Sequence, residues 1–345
     1  MKDLNVSSTG PIKSIRANNN PMGGDPVRLG LIGAGRWGRI FINTLNRLDG
    51  FELVRLASSN PQSQALVGEG CRVCEDWRSV AAADDLDGVI IATPPALHAQ
   101  MAQTAIIAGN PVLVEKPLTL NIEEAQAVLD IAEQHDAIVH VDHIHLYHPA
   151  YRALKTQGLG MGPIHAIRAG AGDWGPFRAD TSLLWDRGTH EIALCVDLLG
   201  AKPDTVFARW IETRNTDEGL GETIALQLTF ADGVRADIDL SNLLQSKKRL
   251  LGVHFDRQTL IFDDVGPKAL VCEPRSEDAK DHPEKTRILE VQDILSLDQV
   301  LLDFAHAIKK GQCDLAGLKL GVDVVEVLTA CQQSLREGKT VSMTQ

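Results

Sequence analysis

A chain of 345 residues, 44% hydrophobic and 23% charged, has the composition of a folded globular protein and length enough for two domains. Its net charge of −12 argues against a nucleic-acid partner, because phosphate binding needs a basic surface, although one local basic pocket would still hold a small anion. No apolar run approaches the roughly 20 residues needed to span a bilayer, so no membrane partner is expected.

Residues 1–26 contain charges and turn formers but no apolar stretch of a secretory signal, and read as a flexible extension. Val27 to Ile32 is a short apolar run, as expected of a strand buried on both faces. After Gly33, the apolar residues Trp37, Phe41, Leu45 and Leu48 recur at helical spacing. "FELVRLASS" is a second strand. The six scattered cysteines suit a reduced, cytoplasmic setting. Cys71 and Cys74 of "CRVC" lack the second pair that a zinc site needs. In a strand they stand about 10 Å apart, too far for a disulfide.

"DLDGVIIATPP" gives a further strand, residues 97–108 a helix closed by Gly109, and residues 112–114 a strand broken by Pro117. Ala125, Val128, Leu129 and Ala132 mark the next helix, and "AIVHVDHIHL" the strand after it. Strands alternating with helices imply βαβ units and a doubly wound parallel sheet, an α/β Rossmann domain over residues 27–147. Beyond Tyr151 the rhythm changes. "ETIALQLTFADGVRADIDLS" and "LLGVHFDRQTLIFDD" read as hairpins. With "PIHAIRAGAG" and "DTVFARWIETR" they predict an α+β domain with a mostly antiparallel sheet over residues 148–345. Helices over 297–310 and 322–336 close the chain, and the segment 297–345 is expected to pack back towards the first domain.

Three glycines at Gly33, Gly35 and Gly38 follow a strand and open a helix, the context that turns a weak pattern into a dinucleotide site. Gly33 serves the tight turn, Gly35 lets the backbone approach a pyrophosphate, and Gly38 allows close helix–strand packing. Free N–H groups at the helix start, around Arg36 and Trp37, hold the diphosphate. The second strand ends in Ser58-Ser59-Asn60, without the carboxylate usual in an NAD site. Ser58, Ser59 and Arg36 therefore favour NADP over NAD as cofactor.

"ATPPALHAQMAQTAIIAGNPVLVEKPL" resembles the Gfo/Idh/MocA oxidoreductases, named for glucose–fructose oxidoreductase and inositol dehydrogenase. Their "TP…H" segment is matched by Thr93, Pro94 and His98, and their "EKP" motif by Glu115, Lys116 and Pro117. "LLWDRGTHEIALCVDLLG" continues the match with Asp186, Gly188 and His190, and the resemblance runs from Val27 to Val341. It implies a Rossmann domain followed by a domain with a large open sheet, often used for oligomerisation, here a homodimer or homotetramer. It also places the nicotinamide between the domains, with Thr93, Pro94, His98 and Glu115 around the cofactor and Lys116, Asp186 and His190 at the reacting carbon. The substrate class it implies is a sugar, a cyclitol or a nucleotide-linked sugar.

The residue chemistry agrees. Alcohol oxidation needs hydride transfer and removal of a hydroxyl proton, which a histidine carries near physiological pH. Asp186 stands four residues before His190, so on a helix it either orients the imidazole or caps the helix that starts there. Lys116 can polarise the reacting oxygen. The chain departs from many relatives at Ala193, where they have aspartate, and at Ile144 and Leu146 in the hinge. His140, His143, His145 and His148 find no Cys or carboxylate pattern to complete a metal site, and no metal is expected. His145 is a candidate to face the substrate cleft, and Asp173 to bind substrate hydroxyls. Two other activities fit the same resemblance: a non-catalytic dinucleotide-binding sensor, and a glycosidase that uses bound NAD without net turnover of it.

Overall fold

The computed structural model describes residues 24–178, 181–274 and 286–343; residues 1–23 of the expected extension lie outside them. Six short strands carry the first half: β1 (Val27–Ile32), β2 (Phe51–Ala57), β3 (Arg72–Cys74), β4 (Gly88–Ile91), β5 (Val112–Glu115) and β6 (Val139–Asp142). They pair in parallel in the order β3-β2-β1-β4-β5-β6. Every residue of β4 and β5 is buried. Both faces are covered, which is why these strands read as unbroken apolar runs. The crossovers contain α1 (Arg36–Arg47), α2 (Arg78–Ala81), α3 (His98–Ile107) and α4 (Ile122–Gln134). α1 turns Phe41, Ile42 and Leu45 inward. α4 starts where the Asn121 side chain accepts the Glu124 N–H at 2.8 Å, an N-cap. Strand order reverses at β1, which has β2 on one side and β4 on the other. The crevice at the carboxyl ends of these strands is where sheets of this type bind ligands.

The strand expected through residues 137–146 is shorter than its composition suggests. β6 ends at Asp142, paired with Glu115, the last residue of β5. Beyond that point β5 offers no further edge, and residues Ile144–Tyr147 turn as a 3₁₀ helix. The histidines there consequently do not alternate along a strand. His143 is fully buried, and His145 swings towards the second domain.

The second half begins with α5 (Pro149–Gly158), which the sequence pattern does not announce. Its nine-stranded sheet consists of β7 (Ala166–Trp174), β8 (Thr205–Thr216), β9 (Gly219–Thr229), β10 (Arg235–Ser241), β11 (Leu243–His254), β12 (Gln258–Asp263), β13 (Leu270–Pro274), β14 (Arg287–Ile288) and β15 (Val341–Ser342). The order is β14-β13-β12-β11-β7-β10-β9-β8-β15, mixed but mostly antiparallel, with β7 and β10 the parallel pair. Both expected hairpins form, β9–β10 turning through Asp232 at φ 60° and Gly233 at φ 78°, and β11–β12. α6 (Thr189–Leu199) and α8 (Ala316–Glu337) cover one face, packing Leu194, Val325 and Leu328 with Val206, Ala208 and Leu226. The opposite face is polar, with Arg168 paired to Asp237. α7 (Ser296–Lys310) returns to the first domain. Its Val300, Leu301 and Phe304 join Leu29, Leu31 and Phe41 in one core, and Arg47 binds Asp298 beside it.

Candidate active site

The turn between β1 and α1 shows what each glycine does. Gly33 has φ +102°, and a Cβ there would lie 2.5 Å from the Ala92 carbonyl oxygen at the end of β4. A Cβ on Gly38 would stand 2.0 Å from the Gly33 carbonyl oxygen, so α1 is pressed against the turn itself. Gly35 is different: nothing lies within 4 Å of its would-be Cβ. No side chain caps α1, and no acidic residue stands in its first turn. The result is an open concavity beside unpaired N–H groups at a helix N-terminus, which suits a diphosphate. Arg36 is exposed there, with no ion pair among the described residues.

Ser58 and Ser59 follow β2 on the same edge of the sheet. The Ser58 hydroxyl accepts the Asn60 N–H at 3.2 Å and shares a 2.8 Å hydrogen bond with the Ser63 hydroxyl. Ser59 is exposed. Thr93 and Pro94 follow β4. His98 is fully buried, with Nδ1 2.9 Å from the Pro117 carbonyl and Nε2 2.9 Å from the Thr93 carbonyl. A neutral ring donates to one and touches the other. His98 thereby ties the loop after β4 to the loop after β5.

Lys116 leaves β5 and reaches across to the second domain. Its Nζ donates to the Asp186 carbonyl at 2.7 Å and to Asp186 Oδ1 at 3.3 Å. This corrects the sequence reading of Asp186. The helix does not start at Asp186; Leu184–Gly188 is a π-helical turn running into α6. That wider turn breaks the i, i+4 alignment, and the Asp186 carboxylate pairs with Lys116 and, at 3.5 Å, with Arg178. His190 Nδ1 is buried without a hydrogen-bond partner, which leaves Nε2 as the nitrogen meeting the cleft. Burial first, then the charges of Lys116, His145 and Arg249, hold His190 well below the ordinary imidazole range. It is therefore neutral, the form that accepts a proton.

Six charged or titratable groups in this region have surroundings that no motif reveals. His145 stacks edge-on against His190, ring centroids 4.4 Å apart. Arg249, from β11, reaches Asp264 at 3.0 Å and the fully buried Glu191 at 3.7 Å. Burial lifts Glu191 to about 7 against the pull of Arg249. Behind Lys116, Glu115 and Asp142 end adjacent strands in register, so both side chains leave the same face. Both are buried, and Glu115 Oε1 and both Asp142 oxygens lack a hydrogen-bond partner. Burial lifts Asp142 to about 7, and burial with the neighbouring Asp142 charge raises Glu115 well above the usual carboxylate range. No motif points to Arg249 or Asp264, since each becomes relevant only through pairing across the second sheet.

A cavity of about 220 Å³ opens beside Asp186, lined by Arg178, Ser182, Arg187, Glu222 and Asn242 among others. Asp173 lies close enough to act electrostatically on Arg187, and its carboxylate accepts the Trp174 N–H at 2.9 Å. A larger cleft of about 830 Å³ lies behind the hinge. Its charges close on one another, Arg152 with Asp303 at 2.6 Å and Lys155 with Asp197 at 2.7 Å, and none of the cofactor residues lines it.

Comparison with known proteins agrees with this fold. Residues 27–143 match the oxidoreductase family described by its NAD-binding Rossmann fold, and residues 139–343 match that family's C-terminal alpha/beta domain. A crystal structure of a putative oxidoreductase from Magnetospirillum magnetotacticum is 42% identical with a TM-score of 0.82, covering 89% of this chain and 100% of that one. The oxidoreductase YrbE of Bacillus subtilis is 25% identical over 91% of this chain and 96% of its own. UDP-N-acetylglucosamine 3-dehydrogenase of Acidithiobacillus ferrooxidans is 28% identical over 66% of this chain and 71% of its own. GenD2 from gentamicin A biosynthesis, solved in complex with NAD, shares the fold at a TM-score of 0.78 and 23% identity, over 93% of this chain and 97% of its own. Fold, site and similarity define an NAD(P)-dependent dehydrogenase or reductase. The chain belongs to the Gfo/Idh/MocA oxidoreductase family.

Proposed function

We propose that the chain interconverts a secondary alcohol and a ketone on a polyhydroxylated substrate, a sugar, cyclitol or nucleotide-linked sugar, with NADP favoured over NAD. The observation that carries this reading is the Lys116–Asp186 pair, with His190 near enough to feel the Lys116 charge, at the carboxyl edge of the parallel sheet that bears the open glycine turn. The bound nicotinamide supplies the hydride acceptor or donor. Lys116, oriented by Asp186, polarises the reacting oxygen. His190, neutral and open at Nε2, takes the hydroxyl proton. Arg178 and Arg187 offer donors to further substrate hydroxyls, with Asp173 placed near Arg187. The substrate class is also supported by relatives that act on UDP-N-acetylglucosamine and inositol. NADP preference rests on the absent carboxylate after β2 together with exposed Arg36 and Ser59. Six free cysteines support a reducing, cytoplasmic setting.

The test is a turnover screen of polyols, free sugars and nucleotide sugars with each cofactor, run on wild type and Lys116→Ala. Wild-type turnover that falls about 100-fold or more in Lys116→Ala, with cofactor fluorescence titration unchanged, is the expected result. An active Lys116→Ala variant would remove the assigned role of the lysine, and a preference for NADH would remove the phosphate-selecting role of Arg36 and Ser59.

A further inference from the structure

Taking a guanidinium out of water is costly unless an anion meets it. Arg187, on the π-helical turn before α6, is half-buried, and burial pulls its pKa down from the ordinary guanidinium value. Its hydrogen bond is to a neutral group, from one Nη to the Gly175 carbonyl at 2.6 Å. Among the described residues it makes no ion pair. The acids whose charge reaches it are Asp186, Asp173 and Glu191, and each is engaged elsewhere. Asp186 holds Lys116 at 3.3 Å and Arg178 at 3.5 Å. Asp173 accepts the Trp174 N–H at 2.9 Å, and Glu191 has Arg249 at 3.7 Å.

Arg187 lines the cavity of about 220 Å³, and so does Asp186, whose carboxylate and carbonyl hold Lys116. The cavity therefore opens beside the group assigned to the reacting oxygen. Arg178, Thr181 and Ser182 add further donors to its wall. Its other acid, Glu222, accepts a backbone hydrogen bond from Leu183, and burial raises it towards the neutral form. The volume is below the roughly 300–1,000 Å³ of a drug-sized site, so the cavity seats a compact group and not a second ring.

Resting on the oxidoreductase reading above, we propose that Arg187, with Arg178 beside it, binds a compact oxyanion, a carboxylate or a phosphate, carried by the substrate close to its reacting carbon. Arginine suits this role, because its planar set of N–H donors matches the oxygens of either group. The bond to Gly175 fixes the side chain in place before the ligand arrives, which lowers the cost of ordering it on binding. Arg187 is then a specificity-determining residue. A neutral sugar or cyclitol in the same place leaves a half-buried charge without a counter-ion, so the site discriminates against it. The substrate class narrows from polyhydroxylated compounds in general to those that bear an oxyanion on the ring that reacts.

The experiment gives wild type and Arg187→Gln matched substrates built on the same ring: the neutral sugar, its uronate, its phosphate and its nucleotide diphosphate. Wild type should favour an anionic member over the neutral sugar by about 10- to 100-fold in kcat/KM, and the member preferred identifies the source of the oxyanion. Arg187→Gln, which keeps a donor but loses the charge, should erase most of that preference through KM rather than kcat, with a smaller loss on the neutral sugar. Equal or better turnover of the neutral sugar by wild type overturns the proposal. So does a loss in Arg187→Gln of the same size on every member, which marks a structural role through Gly175. If wild type turns over none of them, the oxidoreductase reading falls, and calorimetric titration of the cofactor-loaded protein with the uronate and the sugar phosphate decides the anion site separately. Binding that depends on Arg187 upholds it; absence of binding, or binding equal in Arg187→Gln, overturns it.

Discussion

Asp142 occupies the last position of β6 with both carboxylate oxygens buried and unpartnered. Its folded pKa is raised to about 7 from an ordinary 3.8, because burial penalises the charge more than Lys116 relieves it. A carboxyl raised in this way contributes stability in full below about pH 4, and that contribution is lost as the pH climbs to about 7. Asp142→Asn presents a neutral group of the same shape at every pH. Thermal melts should therefore show the variant close to wild type at or below about pH 4 and more stable at pH 8, on the order of 1 kcal/mol or more. Equal or lower stability of the variant at pH 8 would contradict a costly buried charge at this position.

At the scale of elements, the glycine turn separates two demands that the G-x-G-x-x-G spacing combines. Gly38 is required by the fold, since its Cβ would strike the Gly33 carbonyl at 2.0 Å and backbone cannot yield there. Gly35 is required by the ligand, since a Cβ there projects into open space at an ordinary φ of −69°. Gly38→Ala should lower the melting temperature, with overpacking worth about 1–3 kcal/mol, and weaken cofactor binding. Gly35→Ala should leave the melting temperature unchanged while reducing affinity for the dinucleotide. Melting curves paired with fluorescence titration separate the two; a destabilised Gly35→Ala protein would mean that the turn itself depends on that position.

For the whole molecule, the second sheet has α6 and α8 on one face, while the other carries exposed polar and charged side chains such as Arg168 and Asp239. Trp174, Trp210, Ile211 and Leu220 add exposed apolar surface on strands of the same sheet. Exposed apolar surface of this kind marks association sites, and we propose that the chain forms a homodimer or homotetramer. Light scattering at working concentration should give a mass of two or four chains of 37.5 kDa; a single-chain mass would overturn the proposal. Among the described residues, no helix is long and apolar enough to cross a membrane.

The amino-acid sequence by itself determined the alternation of strands and helices in the first domain, the glycine turn and its meaning, the two main hairpins and the closing helices. All of these follow from local physics: apolar periodicity, the φ that glycine permits, and turn residues between alternating runs. It also singled out Lys116 and His190, because family motifs mark them. Only the tertiary structure decided which groups these residues meet. Lys116 and Asp186 pair across 70 positions of sequence, and the π turn that directs Asp186 away from His190 has no local signature. The hinge histidines leave the strand because β5 runs out of partners, which the composition of the hinge does not reveal. Arg249, Asp264 and Glu191 form a network only because β11, the end of β12 and α6 are brought together by the packing of the second domain. Long-range pairing of charges depends on distance and burial after folding, and neither is encoded in the spacing of residues along the chain.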